Sequence, residues 1–492
     1  MGYYALEVIL QNRMPLVEAM LKYKNDKVYP FHTPGHKGGR GMEALLKNEL
    51  GAGAVAMDVS LMSELDDIHA PSACIKEAQD LAAQLYGSDK CFFAVNGTTG
   101  AIHAMLMAAC RAGDRVLVPR NAHRSVAGAL LLANLQPVFV MPEYDSGFGI
   151  NTQITPEAVA EAFEKEPDIK AVLVTSPNYY GQAADLKAIG QIAHAHNAVL
   201  LVDEAHGPHL GFSQKLPPSA LQCGADACAQ STHKILGAMT QCSLLHIKGK
   251  RINLTRAAEV MSLLTTTSPN YLLMASLDAA RYTLAVHGEK LADKALAAAE
   301  KLRSLLKKFE GLRLLDDGCI GSNGVAGFDK TKVTVNTAAW GYSGVETGDC
   351  LRKAGIAVEL TDAANVLFLV TYADGGAGYD TVLKKIEAVF AQMQQHKRAS
   401  LPEQDSYKLP DFTTIMPLRI AFDAGHETVP LDGAEGRICA EQVSFYPPGI
   451  PVLWPGELVT GSVLDYCRRM KALGLPVSGP ADYTLTELRV IK

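Results

Sequence analysis

From about residue 72 to residue 250, short apolar runs alternate with stretches whose apolar residues recur every three or four positions. The runs at 91–95, 115–119, 137–141, 171–175, 198–202 and 242–246 predict strands. The amphipathic stretches between them, such as 99–112, 156–166 and 184–196, predict helices. Strand and helix in alternation predict a mostly parallel sheet covered on both faces, with ligand-binding groups at the carboxyl ends of its strands. Upstream, the spacing predicts a helix over 4–24, ended by the polar run Lys24-Asn-Asp-Lys27. Residues 29–40, with two Pro and three Gly, cannot be helical. A helix-rich region over 271–310 leads into a second alternating segment, 311–394. The polar stretch 394–405 reads as a linker, and 410–492 carries an apolar pattern of its own.

Composition narrows the partners. The 492 residues carry 46 Lys+Arg against 52 Asp+Glu, a formal charge of −6, so there is no cationic footprint for nucleic acid. The longest apolar stretch, 126–141, is broken by Asn134, Gln136 and Pro137 and is too short to span a bilayer. The N-terminus lacks a basic region followed by an apolar core, and these features together predict a cytoplasmic protein without a membrane partner. The ten Cys then read as reduced thiols. Cys223 and Cys228 have no second pair at zinc-ligand spacing, so no metal site is expected.

Four clusters carry candidate chemistry, each with a bland reading beside it. Ser231-Thr-His-Lys234 sits between apolar segments, where a partly desolvated Lys234 can lose its proton and attack a carbonyl to form a Schiff base; Ser231 and His233 beside it suit an anion. A capped, solvated helix start is the alternative. An apolar strand delivers Asp203 in Asp203-Glu-Ala-His206, where a carboxylate can pair with a protonated ring nitrogen and the small Ala205 leaves room for something flat. An acidic loop, or metal ligation by Asp203, Glu204 and His206, would explain the same residues. Asn96-Gly-Thr-Thr-Gly100 opens a helix, so its amides and the hydroxyls of Thr98 and Thr99 form a phosphate cradle or simply a glycine turn with a Thr cap. His123, again at a strand end, is a flat side chain for stacking or one polar residue of a surface loop.

In chain order these are a phosphate cradle, a stacking ring, a ring-pairing acid and a Schiff-base lysine. Pyridoxal 5'-phosphate (PLP) needs all four. At this point the chain resembles the fold-type I PLP enzymes, and within them the bacterial ornithine/lysine/arginine decarboxylases in their short form. The narrower likeness rests on Thr33-Pro-Gly-His-Lys-Gly-Gly39, Glu64-Leu-Asp-Asp-Ile-His-Ala-Pro71 and the three motifs at 96, 203 and 231. Tyr446-Pro-Pro-Gly-Ile-Pro451 and Pro455-Gly-Glu457 complete it, so that it spans about residues 8 to 480.

The resemblance implies an α/β fold of the aspartate aminotransferase type. A large PLP-binding domain (41–290) with a mostly parallel, seven-stranded-type sheet would follow an N-terminal helix and dimer-contact arm (1–40). A smaller α/β domain with α+β layering (291–395), a linker (396–409) and a C-terminal α+β domain (410–492) would complete the chain. It further implies that Lys234 holds the cofactor covalently, that Asp203 pairs with the pyridine nitrogen, and that His123 and Ala205 pack on its two faces. Thr98, Thr99, Ser231 and His233 would hold the phosphate, and His206 would lie near the phenolic oxygen. Thr266 and Ser268 would reach across a homodimer to the neighbour's phosphate, so that active sites are shared. Glu441 would meet the substrate's distal cation. The implied reaction is decarboxylation of a basic amino acid for polyamine synthesis, arginine ahead of lysine and ornithine, with Lys234 or His233 returning a proton to the α-carbon.

Two other classes compete. Many aminotransferases of this fold place an Arg shortly after the lysine, but the next one here is Arg251, which counts against transamination. A non-catalytic PLP-binding protein would tolerate loss of Lys234 or Asp203, and both are present. His36, Lys37 and the run Glu64-Leu-Asp-Asp67 divide evenly between structural and site roles. Trp454 and Tyr446 read as core packing, as do Met105, Leu106 and Met107.

Overall fold

A computed structural model describes residues 11–401, 407–446 and 449–492. It divides into two compact units: one of Met1–Ala109, Leu201–Gln214 and Pro218–Leu291, the other of Cys110–Leu200, Lys215–Pro217 and Ala292–Lys492.

Along the chain, α1 (Pro15–Asn25) begins with Pro at its first turn, where the missing N–H costs nothing. The part of the predicted first helix before residue 11 lies outside the described residues. Next come α2 (Cys74–Tyr86), β1 (Lys90–Ala94) and α3 (Gly97–Ala109), then β2 (Arg115–Pro119), α4 (Arg124–Ala133) and β3 (Gln136–Val140). α5 (Pro156–Lys165) is capped by the Thr155 hydroxyl on the Ala158 amide. β4 (Ile169–Thr175), α6 (Leu186–Ala195), β5 (Val199–Asp203), β6 (Ala227–Gln230), α7 (Thr232–Ile235) and β7 (Ser243–Ile247) follow. Then come α8 (Leu254–Leu264) and the 36-residue α9 (Tyr271–Leu306).

In the first unit, β1 pairs with β7 and β7 with β6 in antiparallel fashion, while β5 lies parallel to β6, with Asp203 opposite Ala229. One side of β1 and β7 packs into a core of Leu16, Met20, Ile75, Phe93, Leu244, Tyr271 and Met274. Each fully buried Leu or Met of such a cluster contributes about 1.5–3 kcal/mol over its exposed state. In the second unit β2 lies between β3 and β4 and is parallel to both. Val116, Leu117 and Val118 of β2 are all buried, as expected for a strand covered on both faces.

The rest of the second unit is α+β. β8 (Lys332–Asn336) and β9 (Asn365–Leu369) pair antiparallel and carry α10 (Gly344–Lys353) and α11 (Tyr379–Gln395) over a core built around Trp340, Val335, Val366 and Phe390. β10 (His426–Pro430), β11 (Val443–Phe445), β12 (Ile450–Leu453), α12 (Gly461–Ala472) and β13 (Glu487–Ile491) form the C-terminal part around Val443, Leu453, Leu464, Met470 and Val490. The α/β class and the mostly parallel sheet are those the alternating pattern predicts.

Candidate active site

β5 and β6 run parallel and end side by side, and that shared end concentrates the candidate residues. β5 delivers Asp203 and then Glu204-Ala-His206, while β6 delivers Ser231 and the short α7 that carries His233 and Lys234. Lys234 Nζ lies 3.1 Å from His206 Nε2. With the ammonium as donor, that ring nitrogen is the unprotonated one. Asp203 is only 3% exposed, and its one hydrogen bond among the described residues comes from the Ala205 amide to Oδ1 at 3.2 Å. Burial raises its pKa above the ordinary carboxylate value, opposed by the Lys234 charge and the Ala205 amide.

Glu204 belongs to a separate, structural network. Its carboxyl accepts the Ala220 amide at 2.7 Å and the Gln230 side-chain amide at 2.8 Å. Those bonds join β5, β6 and the intervening loop, and they correct the alternative of a metal ligand trio with Asp203 and His206. Burial pushes the Glu204 pKa up to about 7.

Opposite α7 lies the start of α3. Gly97 opens that helix at φ +66°, a left-handed conformation that a β-carbon disfavours, and its amide bonds the Gln241 carbonyl at 2.9 Å. The turn brings the buried Thr98 hydroxyl against the Ser231 hydroxyl and within 2.8 Å of Ser243 Oγ. Ser243 Oγ in turn donates to the Gln230 carbonyl at 2.7 Å. Thr99, the next residue, is exposed. The Asn96–Gly100 motif and the lysine motif, with Thr98 and Ser231 133 residues apart, are thus joined through one hydroxyl pair. Ser243 belongs to none of the motifs; its signal is a hydroxyl at the head of a fully buried strand.

His233 Nδ1 lies 2.8 Å from the Cys242 carbonyl. A carbonyl only accepts, so Nδ1 carries the proton and Nε2 is left with its lone pair. Burial, and the neighbouring Lys234 charge, lower the His233 pKa and favour this neutral form.

Thr266 and Ser268 lie on the exposed segment between α8 and α9, hydrogen-bonded to each other through the Ser268 amide and Thr266 Oγ1 at 3.2 Å, and not to the hydroxyls of Thr98 or Ser231. His123 and Glu441 belong to the second unit. His123 caps α4, with Nδ1 2.8 Å from Ser125 Oγ. A β-carbon at Gly449 would stand 3.8 Å from the His123 ring, which sets the glycine of the Tyr-Pro-Pro-Gly motif against that side chain. Both Glu441 oxygens accept backbone amides, from Arg489 at 2.8 Å and Ala481 at 2.7 Å.

Several motif residues serve the fold. His36 bonds Asp58 at 3.0 Å and accepts the Gly39 amide, and Lys37 donates to the His32 carbonyl, so both shape the glycine-rich loop. Asp66 gathers the amides of Ser72, Ala73, Ile75 and Lys76 at the start of α2. Glu457 is buried against Arg120 at 2.8 Å, flanked by Trp454. Trp454, Met105 and Leu106 are core, as expected, whereas Tyr446 is 49% exposed and is not.

No helix among the described residues is long and apolar enough to cross a membrane. Comparison with known proteins gives a consistent result. The profile of "Orn/Lys/Arg decarboxylase, major domain" matches residues 14–377, and that of the corresponding C-terminal domain matches residues 419–479. The arginine decarboxylase of Bacillus subtilis is 40% identical over 484 residues, 98% of each chain. The inducible lysine decarboxylase of Escherichia coli is 25% identical, covering 94% of this chain and 78% of its own. The crystal structure of Francisella novicida lysine decarboxylase LdcF shares the fold with a TM-score of 0.83 at 23% identity, covering 98% of this chain and 81% of that one. With the major-domain profile covering most of its length and a relative at 40% identity end to end, the chain belongs to the Orn/Lys/Arg decarboxylase family.

Proposed function

We propose that the protein is a PLP-dependent carboxy-lyase acting on a basic L-amino acid, with arginine the substrate ahead of lysine and ornithine. The observation that carries this reading is Lys234, its amine 3.1 Å from His206 and in the field of the buried Asp203. Full-length identity of 40% to an arginine decarboxylase, against 25% to a lysine decarboxylase, supports the choice of arginine.

The donor set fits PLP. A buried carboxylate with a single 3.2 Å hydrogen bond is costly unless a cation meets it, and a protonated pyridine nitrogen is such a cation. Hydroxyls gathered at a helix N-terminus suit a phosphate. Bound PLP supplies an electrophilic carbon for an amine and a ring that takes up the electron pair left by departing CO2.

Lys234 is the covalent attachment point. Asp203 would keep the ring nitrogen protonated, Ala205 and His123 would pack against the ring, and His206 would serve its phenolic oxygen. Thr98, Thr99, Ser231 and His233 hold the phosphate, joined by Thr266 and Ser268 of the second copy in a homodimer. The proton returned to the α-carbon comes from Lys234 Nζ, or from His233 once its Nε2, the ring nitrogen not committed to Cys242, has first taken up a proton. Glu441 meets the substrate's distal cation through the lone pairs that the amides of Ala481 and Arg489 leave free.

The test is the visible spectrum of the purified protein followed by CO2 release from arginine, lysine and ornithine in parallel. A bound-PLP absorbance with arginine turned over fastest is expected, and no CO2 from any of the three refutes the reading. Asp203→Ala is expected to retain PLP on Lys234 while turnover falls at least about a hundredfold, the scale of a lost electrostatic partner at a reacting centre. Unchanged turnover removes Asp203 from the mechanism.

A further inference from the structure

The Glu64–Pro71 motif contains a histidine, His69, that the proposed reaction leaves unused. The chain around it is fixed. Asp66, at φ +73°, binds four amides at the head of α2, and its own carbonyl accepts the Tyr271 hydroxyl at 2.6 Å. The Asp67 carboxylate accepts the His69 amide at 2.9 Å, and the Ala70 amide closes a turn on the Asp67 carbonyl. His69 therefore projects from a rigid base.

Its ring spans the C-terminal end of α8. Nδ1 lies 2.9 Å from Ser262 Oγ, inside the helix, and Nε2 lies 3.1 Å from the Thr266 carbonyl, just beyond it. The carbonyl can only accept, so Nε2 carries the proton, and Nδ1 then accepts from the Ser262 hydroxyl. One neutral tautomer satisfies both contacts.

The segment held this way has little else to hold it. Residues 266–268 are exposed, and among the described residues the bond from His69 is the one hydrogen bond linking them to another segment. The remaining bond there, from the Ser268 amide to Thr266 Oγ1, is internal.

We propose that His69 is a positioning residue for the phosphate site: it clamps the 265–268 segment so that Thr266 and Ser268 present their hydroxyls to the cofactor phosphate of a second copy of this chain. The proposal rests on the role given above to those two residues. It explains why a motif with no reacting group stands 197 residues from the segment it touches.

Three variants test it on the holoenzyme: His69→Ala, His69→Gln and the double variant Thr266→Ala/Ser268→Ala. For each, PLP affinity is measured by absorbance during cofactor titration and compared with kcat at saturating PLP. Amide hydrogen exchange of 265–268 is followed in cofactor-free protein. His69→Ala is expected to weaken PLP binding about tenfold, the effect of one lost hydrogen bond, with kcat largely recovered by excess PLP. Exchange in 265–268 should rise, and His69→Gln, whose amide can replace the donor to Thr266, should restore part of both. If the double variant weakens PLP binding and His69→Ala does not, the clamp is refuted while the phosphate role of Thr266 and Ser268 stands. If the double variant binds PLP as the unaltered protein does, the phosphate role itself fails and the clamp with it.

Discussion

Asp203, the last residue of β5, and Glu204, the first beyond it, are chain neighbours whose carboxylates meet different partners. Among the described residues Asp203 accepts a single hydrogen bond, from the Ala205 amide to Oδ1, while Glu204 has both oxygens engaged with Ala220 and Gln230. That division has a measurable consequence. Burial pushes Glu204 up to about 7, whereas in an unfolded chain it titrates as an ordinary glutamate. The folded state therefore binds the proton more tightly. The associated stability is fully present below the unfolded pKa and is lost as pH rises through about 7. Its full range is on the order of 3 kcal/mol. Glu204→Gln keeps a hydrogen-bonding side chain without the titration. Its melting temperature should change less than that of the unaltered protein between pH 5 and pH 7.5, in differential scanning at matched ionic strength. An identical pH dependence in both proteins would assign the titration to other groups.

At the scale of elements, the helix α2 depends on a residue eight positions before it. Its immediate cap, Ala73, offers no side-chain hydrogen bond, and the Asp66 carboxylate serves instead, taking amides from Ser72 to Lys76. Burial alone would raise the Asp66 pKa, but these amides outweigh it and hold the group below the usual carboxylate value. Asp66→Ala strands several donors at once and is expected to cost about 2–4 kcal/mol, read as a lowered urea midpoint with an unchanged slope. An intact midpoint would mean that water replaces the carboxylate at no loss. This device also marks the limit of what sequence periodicity reveals. The strand over 115–119 and the helix starting at Pro156 were legible because apolar spacing, Pro and Thr signals are local. β6 was not: Ala-Cys-Ala-Gln is short and has no β-branched residue, and it is a strand because β5 and β7 pair with it on both sides. The site divides likewise. Lys234, Asp203 and Thr98 stood out as motifs at strand ends or helix starts, while Ser243, Glu204 and His69 act through partners far along the chain.

For the whole molecule, the proposed reading divides each active site between two copies: Lys234 and Asp203 from one, Thr266 and Ser268 from the other. A two-fold dimer then carries two equivalent sites, each mixed in origin. Chains with Lys234→Ala lack the attachment point wherever their own α7 is used, yet they still offer an intact 265–268 segment. Chains carrying Thr266→Ala/Ser268→Ala have the converse defect. When the two are co-expressed in equal amounts, half of the dimers are hybrids, and in each hybrid one site combines Lys234 from one chain with Thr266 and Ser268 from the other. The second site inherits both defects. Activity per dimer, assayed at limiting PLP so that the phosphate defect is felt, should therefore recover to about a quarter of the unaltered enzyme. Lys234→Ala dimers alone should show none, and the double variant alone should need excess PLP. If every phosphate donor comes from the chain that supplies Lys234, co-expression restores nothing beyond the average of the two parents. The contrast separates a shared site from two independent ones without dissociating the dimer.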